Sequence, residues 1–400
     1  MFYPRGSETD PVVARMPRQE LERRWGLLRD AMRAGGLDAV VALGFDDSLS
    51  GPVRWLCDFG APAYMKVAIF HAEGPMTVVE HGGMSGWRET DPGSAATPGV
   101  GRIGVAAAFK SAAATQLQEA RATVKDLQES GARHVGLVRP GTMPHAFVSH
   151  IERSMPEVSF IDVTETVDAL KAIKSEVELA ALRHACAVQD DVFAKMLEVI
   201  RPGLREVDVL ALAEQEFRLH GAIDGTMASA SARIGTATGL RPWRAQNRVL
   251  QKGDCLTLLL EMSSAEGLYT EMARQVVLGT ISEQQRSALA VVREAQDRTV
   301  AAMVPGAVPA DLAAANDGFL ERHGYPPEPR LFAHGQGYDM VERPLVRSDE
   351  TMILAADMFM ACHPAVATPE LFVFLCDNFI VRESGPAERC HRTAREIFEV

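Results

Sequence analysis

The chain has 400 residues, 47% apolar and 24% charged, an ordinary globular balance that excludes long disorder. That length exceeds the size at which one core stops growing, so two domains are the default. The formal net charge of −12 provides no basic stripe for nucleic acid and repels an anionic membrane surface.

The opening MFYPRGSETD lacks the basic, apolar and small-residue progression of a secretory signal. No run approaches the ~18 apolar residues of a membrane span, so a cytoplasmic protein is expected. Six cysteines, at 57, 186, 255, 362, 376 and 390, are scattered without CxxC spacing in a chain too long to need disulfide staples. Free thiols are expected.

Residues 18–34 read as an amphipathic helix with Leu21, Trp25, Leu28 and Met32 on one face, closed by Gly35-Gly36. Short β-branched runs follow at 38–43, 67–70, 76–79, 134–138 and 158–162, separated by helical or turn-rich stretches, with a loop at 92–101. This is the pattern of an α/β domain. A long helical pattern from about 165 to 200 then changes the character of the chain, and the junction is placed there, giving domains 1–164 and 165–400. Helices are expected at 205–220, 282–303 and 309–323. Strands are expected at 254–262, 268–278, 331–334, 358–363 and 371–382.

The second half repeats itself. Pro202-Gly203 and His220-Gly221 return 103 positions later as Pro305-Gly306 and His323-Gly324, and Gly253-Asp254 falls on Ala356-Asp357. Two copies of one helix-then-strand unit about a pseudo-twofold axis are expected, with a pocket between them.

The repeat, the helix KAIKSEVELAALRHA, the KGD turn before a hairpin and the segment HGQG together resemble the pita-bread superfamily of creatinase, aminopeptidase P and methionine aminopeptidase. DAVVAL followed by VRWLCDF resembles the amino-terminal domain of its creatinase branch. The resemblance spans nearly the whole chain. It implies an α+β fold: a pita-bread catalytic domain preceded by a smaller α/β domain.

Peptidases of that superfamily hold two metal ions with two Asp, one His and two Glu, and this sequence departs from that set. The first Asp position falls on Leu259 counted from Gly253-Asp254, or on Leu260 counted back from Gly267. The second is Glu271, and the His is kept as His334. The two Glu positions align with His363 and Cys376. The 103-residue offset pairs Leu260 with His363 as the points where equivalent strands meet the pocket. So few carboxylates do not neutralise two dications. A single zinc on His, Glu and Cys is chemically reasonable, but the expectation is a site without metal or other cofactor.

Superfamily members without the metal set, such as creatinase and ectoine hydrolase, hydrolyse small C–N bonded molecules, and the hairpin LLLEMS…YTEMAR, with Glu261, Tyr269 and Arg274, resembles that branch. Attack on an amide, amidine or ureido carbon without metal needs a base for water, a proton donor for the leaving nitrogen and anionic groups for a cationic substrate. His334 or His363 would move the proton, and Glu261 and Glu271 would stabilise charge or attack. The histidine that precedes the KGD turn in creatinase is absent, with Arg241 or Pro242 in its place, so creatine itself is a poor substrate candidate. Arg241, Trp243 and Arg244 would suit a carboxylate or an aromatic group. The second peptidase His position is Val341, and Glu342 and Arg343 either replace it or pair with each other. Tyr269 and Tyr338 complete the candidate substrate lining.

The resemblance also implies a homodimer in which the partner's amino-terminal domain caps the site, making Arg54, Tyr64 and Lys66 candidates to reach a small-molecule substrate. Three other readings compete. One is a lyase with Glu261 as base beside Arg241, a second is an Xaa-Pro-type peptidase with an atypical metal site, and a third is a non-catalytic peptide-binding module.

Overall fold

A computed structural model describes residues 14–45, 50–58, 64–83, 85–108, 117–242 and 247–400, the side chains of Arg241 and Pro242 excepted. Trp243 and Arg244, two of the substrate-binding candidates, lie outside the described residues. The chain divides into two compact units, one of Arg15–Lys171 and one of Ala172–Val400 together with Ala14. No helix among the described residues is long and apolar enough to cross a membrane.

The first unit opens with α1 (Arg18–Gly35), which buries Leu21, Trp25, Leu28 and Met32 and ends where Gly36 turns left-handed. It continues through β1 (Ala39–Phe45), α2 (Gly51–Leu56), β2 (Met65–His71), β3 (Met76–Gly82), β4 (Gly86–Glu89) and β5 (Val100–Ala107). Then come α3 (Gln118–Ser130), β6 (His134–Val138), α4 (His145–Ser154) and β7 (Ser159–Asp162). The strands form one mixed sheet in the order β4-β5-β3-β2-β1-β6-β7. Alternation sends Ala39, Val41 and Leu43 of β1 into a cluster with Val124 and Leu127 of α3 and Phe147 and Ile151 of α4. The central strands read as continuous apolar runs because helices cover the sheet.

The helical pattern expected from 165 to 200 is broken in two. Helix α5 (Thr164–Ala172) stops, and α6 (Glu176–Val199) starts afresh at Ser175. The side chain of Ser175 accepts from the Glu178 amide, and the Glu178 carboxylate accepts from the Ser175 amide. This capping box satisfies two backbone donors that would otherwise be left orphaned, and it outweighs the continuous periodicity that suggested one helix.

Beyond α6 the chain builds α7 (Glu206–Leu219), β8 (Gly225–Arg233), β9 (Arg241–Pro242), β10 (Asp254–Ser263) and β11 (Tyr269–Val277), then α8 (Glu283–Ala302) and α9 (Pro309–Arg322). The remaining strands are β12 (Ala333–Gly335), β13 (Glu342–Leu345), β14 (Phe359–Cys362), β15 (Ala365–Ala367), β16 (Phe372–Phe374), β17 (Asp377–Ile380), β18 (Glu388–Arg389) and β19 (Ile397–Glu399). One five-stranded sheet has the order β19-β11-β10-β8-β9 and the other β13-β12-β14-β17-β18. Mutual backbone hydrogen bonds between Ala273 and Cys376 stitch the two sheets together. This is the pita-bread architecture of two helix-pair-plus-sheet halves.

The even residues Leu256, Leu258, Leu260 and Met262 of β10 pack with Phe193 and Met196 of α6 and Leu210 and Phe217 of α7. Each such side chain contributes about 1.5–3 kcal/mol by leaving water. The odd residue Leu259 instead packs with Ala273, Ala361, Phe374 and Cys376 between the sheets. Period-two alternation therefore decides between the two candidate positions: Leu259 faces the inter-sheet side, and Leu260 is committed to the helix-covered core.

The same point corrects the repeat. Glu206–Leu219 and Pro309–Arg322 correspond at 103 residues. The left-handed residue that opens each strand run is Gly253 (φ 85°) in one copy and Asp357 (φ 65°) in the other, 104 apart. One extra residue lies between helix and strand in the second copy, so His363 matches Leu259 and the pairing with Leu260 fails.

Candidate active site

Glu261 and Glu271 are directly opposite each other in the β10–β11 ladder, which places both carboxylates on one face. Beneath them β8 comes close: a Cβ on Gly225 would sit 2.4 Å from the Glu261 carbonyl oxygen, so that position requires glycine. His334 comes from β12, and His363 follows β14, two positions beyond Ala361 of the inter-sheet cluster. All four side chains are buried, between 3% and 8% exposed.

The imidazole Nε2 of His334 stands 3.6 Å from Oε2 of Glu271. Its Nδ1 lies 2.8 Å from the Gly335 carbonyl oxygen, which can only accept, so Nδ1 carries a proton. The His334 and His363 rings meet edge to face at 5.3 Å between centroids. His363 Nδ1 has no hydrogen-bond partner among the described residues. Ligand-type atoms of Glu271, His334 and His363 all lie within 4.8 Å of one another.

The two carboxylates differ in proton affinity. Burial, then the neighbouring Glu271, pushes Glu261 well above the usual carboxylate range, against the opposing hydrogen bond from Gln336. Burial also acts to raise Glu271, but His363 and His334 outweigh it and bring the group to about 2. Burial lowers His363 to about 4 in spite of Glu271. At neutral pH Glu271 therefore holds a charge and the His363 ring is neutral, while Glu261 has the higher proton affinity of the two carboxylates.

A polar network that the sequence reading missed orients these groups. Gln336 Nε2 donates to Glu261 Oε1 at 2.8 Å, and its Oε1 accepts from Asn378 Nδ2 at 2.8 Å. Asn378 Oδ1 accepts from the Glu271 amide at 2.7 Å, while the Asn378 amide donates to His391 Nδ1 at 3.2 Å. His391 Nε2 meets Gln189 Oε1 at 2.8 Å, and Gln189 Nε2 donates to the Leu260 and Thr270 carbonyls. Spacing offered a signal for two of these residues. Gln336 lies two positions after His334, and Asn378 two after Cys376, the interval that returns a side chain to the same face of an extended chain.

The other candidates have different engagements. The Tyr269 hydroxyl donates to Asp224 at 3.4 Å, and its amide donates to the Gly337 carbonyl. Tyr338 is buried, and its amide donates to Glu342 Oε1. Glu342 and Arg343 do not pair with each other. Glu342 receives Lys174 Nζ at 2.6 Å, and Arg343 Nε binds Glu350 at 3.1 Å, because successive residues of β13 point to opposite faces. Arg274 is fully buried against Asp377 at 2.7 Å, a structural ion pair. The backbone of Arg241 pairs with Ser229.

In the first unit Lys66 is buried with its ammonium 3.9 Å from Glu80. Tyr64 is 41% exposed, and Arg54 is partly buried in the last turn of α2. Cys376 donates its thiol to the Glu271 carbonyl at 3.6 Å, and burial pushes its pKa well above the usual thiol value. It behaves as a small buried hydrophobe.

A two-metal centre does not fit this donor set. Leu259 has no ligand atom, and the Cys376 thiol is turned to a backbone carbonyl. Two of the five positions the resemblance assigns to metal ligands are therefore lost, and one carboxylate is left among the other three.

Relatives agree with the fold. The chain is 25% identical over 264 residues to an Xaa-Pro dipeptidase of Pyrococcus furiosus, covering 64% of this chain and 74% of that protein. It is 24% identical over 234 residues to a creatinase of a Bacillus species, covering 55% and 56%. An Xaa-Pro dipeptidase structure from Bacillus anthracis superposes with a TM-score of 0.76 at 21% identity, over 95% of this chain and 100% of that one. An X-Pro aminopeptidase from Thermotoga maritima gives 0.77 at 17% identity, over 94% and 99%. Residues 180–383, about half of the chain, match the metallopeptidase family M24, and the protein belongs to that family.

Proposed function

We propose that this protein is a hydrolase of a C–N bond in a small polar or dipeptide-like molecule, acting by proton chemistry at Glu261, Glu271, His334 and His363. The family and the relatives named Xaa-Pro dipeptidase and creatinase support the reaction class. The observation that carries it is the pair of facing buried carboxylates, one with raised and one with depressed proton affinity, beside two imidazoles. Water attacks the carbonyl or amidine carbon as the C–N bond breaks. The Glu261 proton passes to the leaving nitrogen, and the water proton passes to Glu271, which offers one carboxylate oxygen to the cluster and keeps the other. Gln336 holds Glu261 in place for this transfer. The burial of all four groups favours a small substrate.

The sequence reading framed this activity as metal-independent, and the loss of two ligand positions supports independence from a two-metal centre. The Glu271–His334–His363 cluster favours a one-metal form. The lyase reading depends on Arg241, and no described side-chain contact favours it.

A panel of Xaa-Pro dipeptides and creatine provides the probes, with the expected preference for dipeptides. On whichever probe the wild type hydrolyses, Glu261→Gln is expected to lower kcat by about 10²–10⁴-fold while keeping the Gln336 contact and the fold. Wild-type turnover by the Gln variant, or no hydrolysis of any probe by the wild type, would count against the proposal.

A further inference from the structure

The sequence predicted no metal, and the family type would hold two ions. His334 donates its Nδ1 proton to the Gly335 carbonyl, so in the neutral ring Nε2 presents a lone pair. Nε2 stands 3.6 Å from a Glu271 oxygen, too far for a good hydrogen bond. Ligand bonds of about 2.0–2.1 Å in a tetrahedron separate neighbouring ligand atoms by about 3.3 Å. The observed gap is close to such an edge. His363 adds a buried ring nitrogen without a hydrogen-bond partner among the described residues, and the three donors lie within 4.8 Å of one another.

We propose that Glu271, His334 and His363 hold a single borderline transition-metal dication of the zinc class, in place of a two-metal centre. The reasons for one ion are local. Leu259 fills the inter-sheet space where a first carboxylate would stand, and the Cys376 thiol is directed at the Glu271 carbonyl. The reason for the metal class is donor chemistry. Two imidazole nitrogens and one carboxylate suit zinc, cobalt or iron, whereas magnesium, calcium and manganese favour all-oxygen sets. Three protein ligands leave one position open for water or substrate. Glu261 stays outside the set, held by Gln336. The inference rests on reading these residues as the active centre, and it replaces metal independence with dependence on one ion.

The test uses the full chain, stripped with chelator and then titrated with zinc or cobalt(II). Metal per chain is measured after gel filtration, and the cobalt(II) visible spectrum is recorded. One tightly held equivalent and an intense, low-coordination cobalt spectrum are expected. His363→Ala and Glu271→Gln are each expected to weaken binding by more than about 100-fold, since disturbing even an outer partner of a metal ligand costs about 10- to 100-fold. Two equivalents in the wild type, or none, overturn the proposal whether or not the variants fold. So does a cobalt spectrum unchanged by His363→Ala.

Glu261→Gln separates this inference from the hydrolase reading. It is expected to keep one equivalent of metal while losing turnover. Retained turnover with one bound equivalent would sink the hydrolase chemistry and leave the metal site. Lost turnover in a protein that binds no metal would do the reverse.

Discussion

At the residue scale, the informative contrast is between two glutamates that face each other across one ladder. Burial alone would raise both, and what separates them is their neighbours. Glu271 has the imidazoles, while Glu261 has an amide donor and a like charge. Gln336 is the link between Glu261 and the rest of the network, since its two amide ends bind Glu261 and Asn378. Replacing it with Leu removes a donor to Glu261 and leaves buried Asn378 short of an acceptor. A stability loss of about 1–3 kcal/mol in denaturant titration is expected. A fall in kcat larger than any change in KM is also expected, because the residue positions a proton donor and does not contact substrate. A pure KM effect would assign Gln336 to binding.

At the element scale, the extra residue between helix and strand in the second copy decides which side chain reaches the site. Gly253 and Asp357 occupy equivalent left-handed positions, one with a residue suited to them and one without. Gly253→Ala is expected to destabilise by about 1 kcal/mol or more, since its Cβ would also meet the Arg233 guanidinium at 3.2 Å. Asp357→Gly is expected to have a smaller effect or none, because relief of backbone strain opposes the greater freedom of the unfolded chain. Thermal melts of the two variants check this, and equal losses would contradict the 104-residue equivalence. Helix ends were legible because Pro-Gly turns and His-Gly stops punctuate them. The break at Ser175 was not, because the apolar periodicity runs through Lys174-Ser175 without interruption and only the reciprocal Ser175–Glu178 bonds reveal the stop.

At the scale of the whole molecule, buried ionisable groups set the response to acid. Arg343 and backbone amides hold Glu350 at about 2 against the raising effect of burial, from an ordinary value of 4.5. A depressed carboxylate contributes stability above the unfolded-state value and loses it as pH falls from about 4.5 toward about 2. Burial lowers His391 to about 4 from 6.5, so protons bind the unfolded chain preferentially and stability falls over that window too. Urea midpoints are therefore expected to decline in two stages, first between about 6.5 and 4 and then below 4.5. His391→Gln should make the first stage shallower, with His363 supplying the remainder, and Glu350→Gln the second, with Glu271 supplying the remainder. An unchanged upper stage in the His391 variant would refute the assignment.

Several features could be read without coordinates. Turn punctuation exposed the duplication, counting from Gly267 reached Glu271, and the motifs AHGQG and MACHP reached His334 and His363. These are local or periodic signals, and the chain carries them in its own order. Tertiary structure decided between Leu259 and Leu260, because only the packing of one sheet face on helices shows which parity looks inward. It drew Gln189, Gln336, Asn378 and His391 together from positions up to 202 residues apart. It also separated Glu342 from Arg343, adjacent in sequence and turned to opposite faces. Which groups are near depends on sheet register and burial, and so do the proton affinities of two identical glutamate side chains.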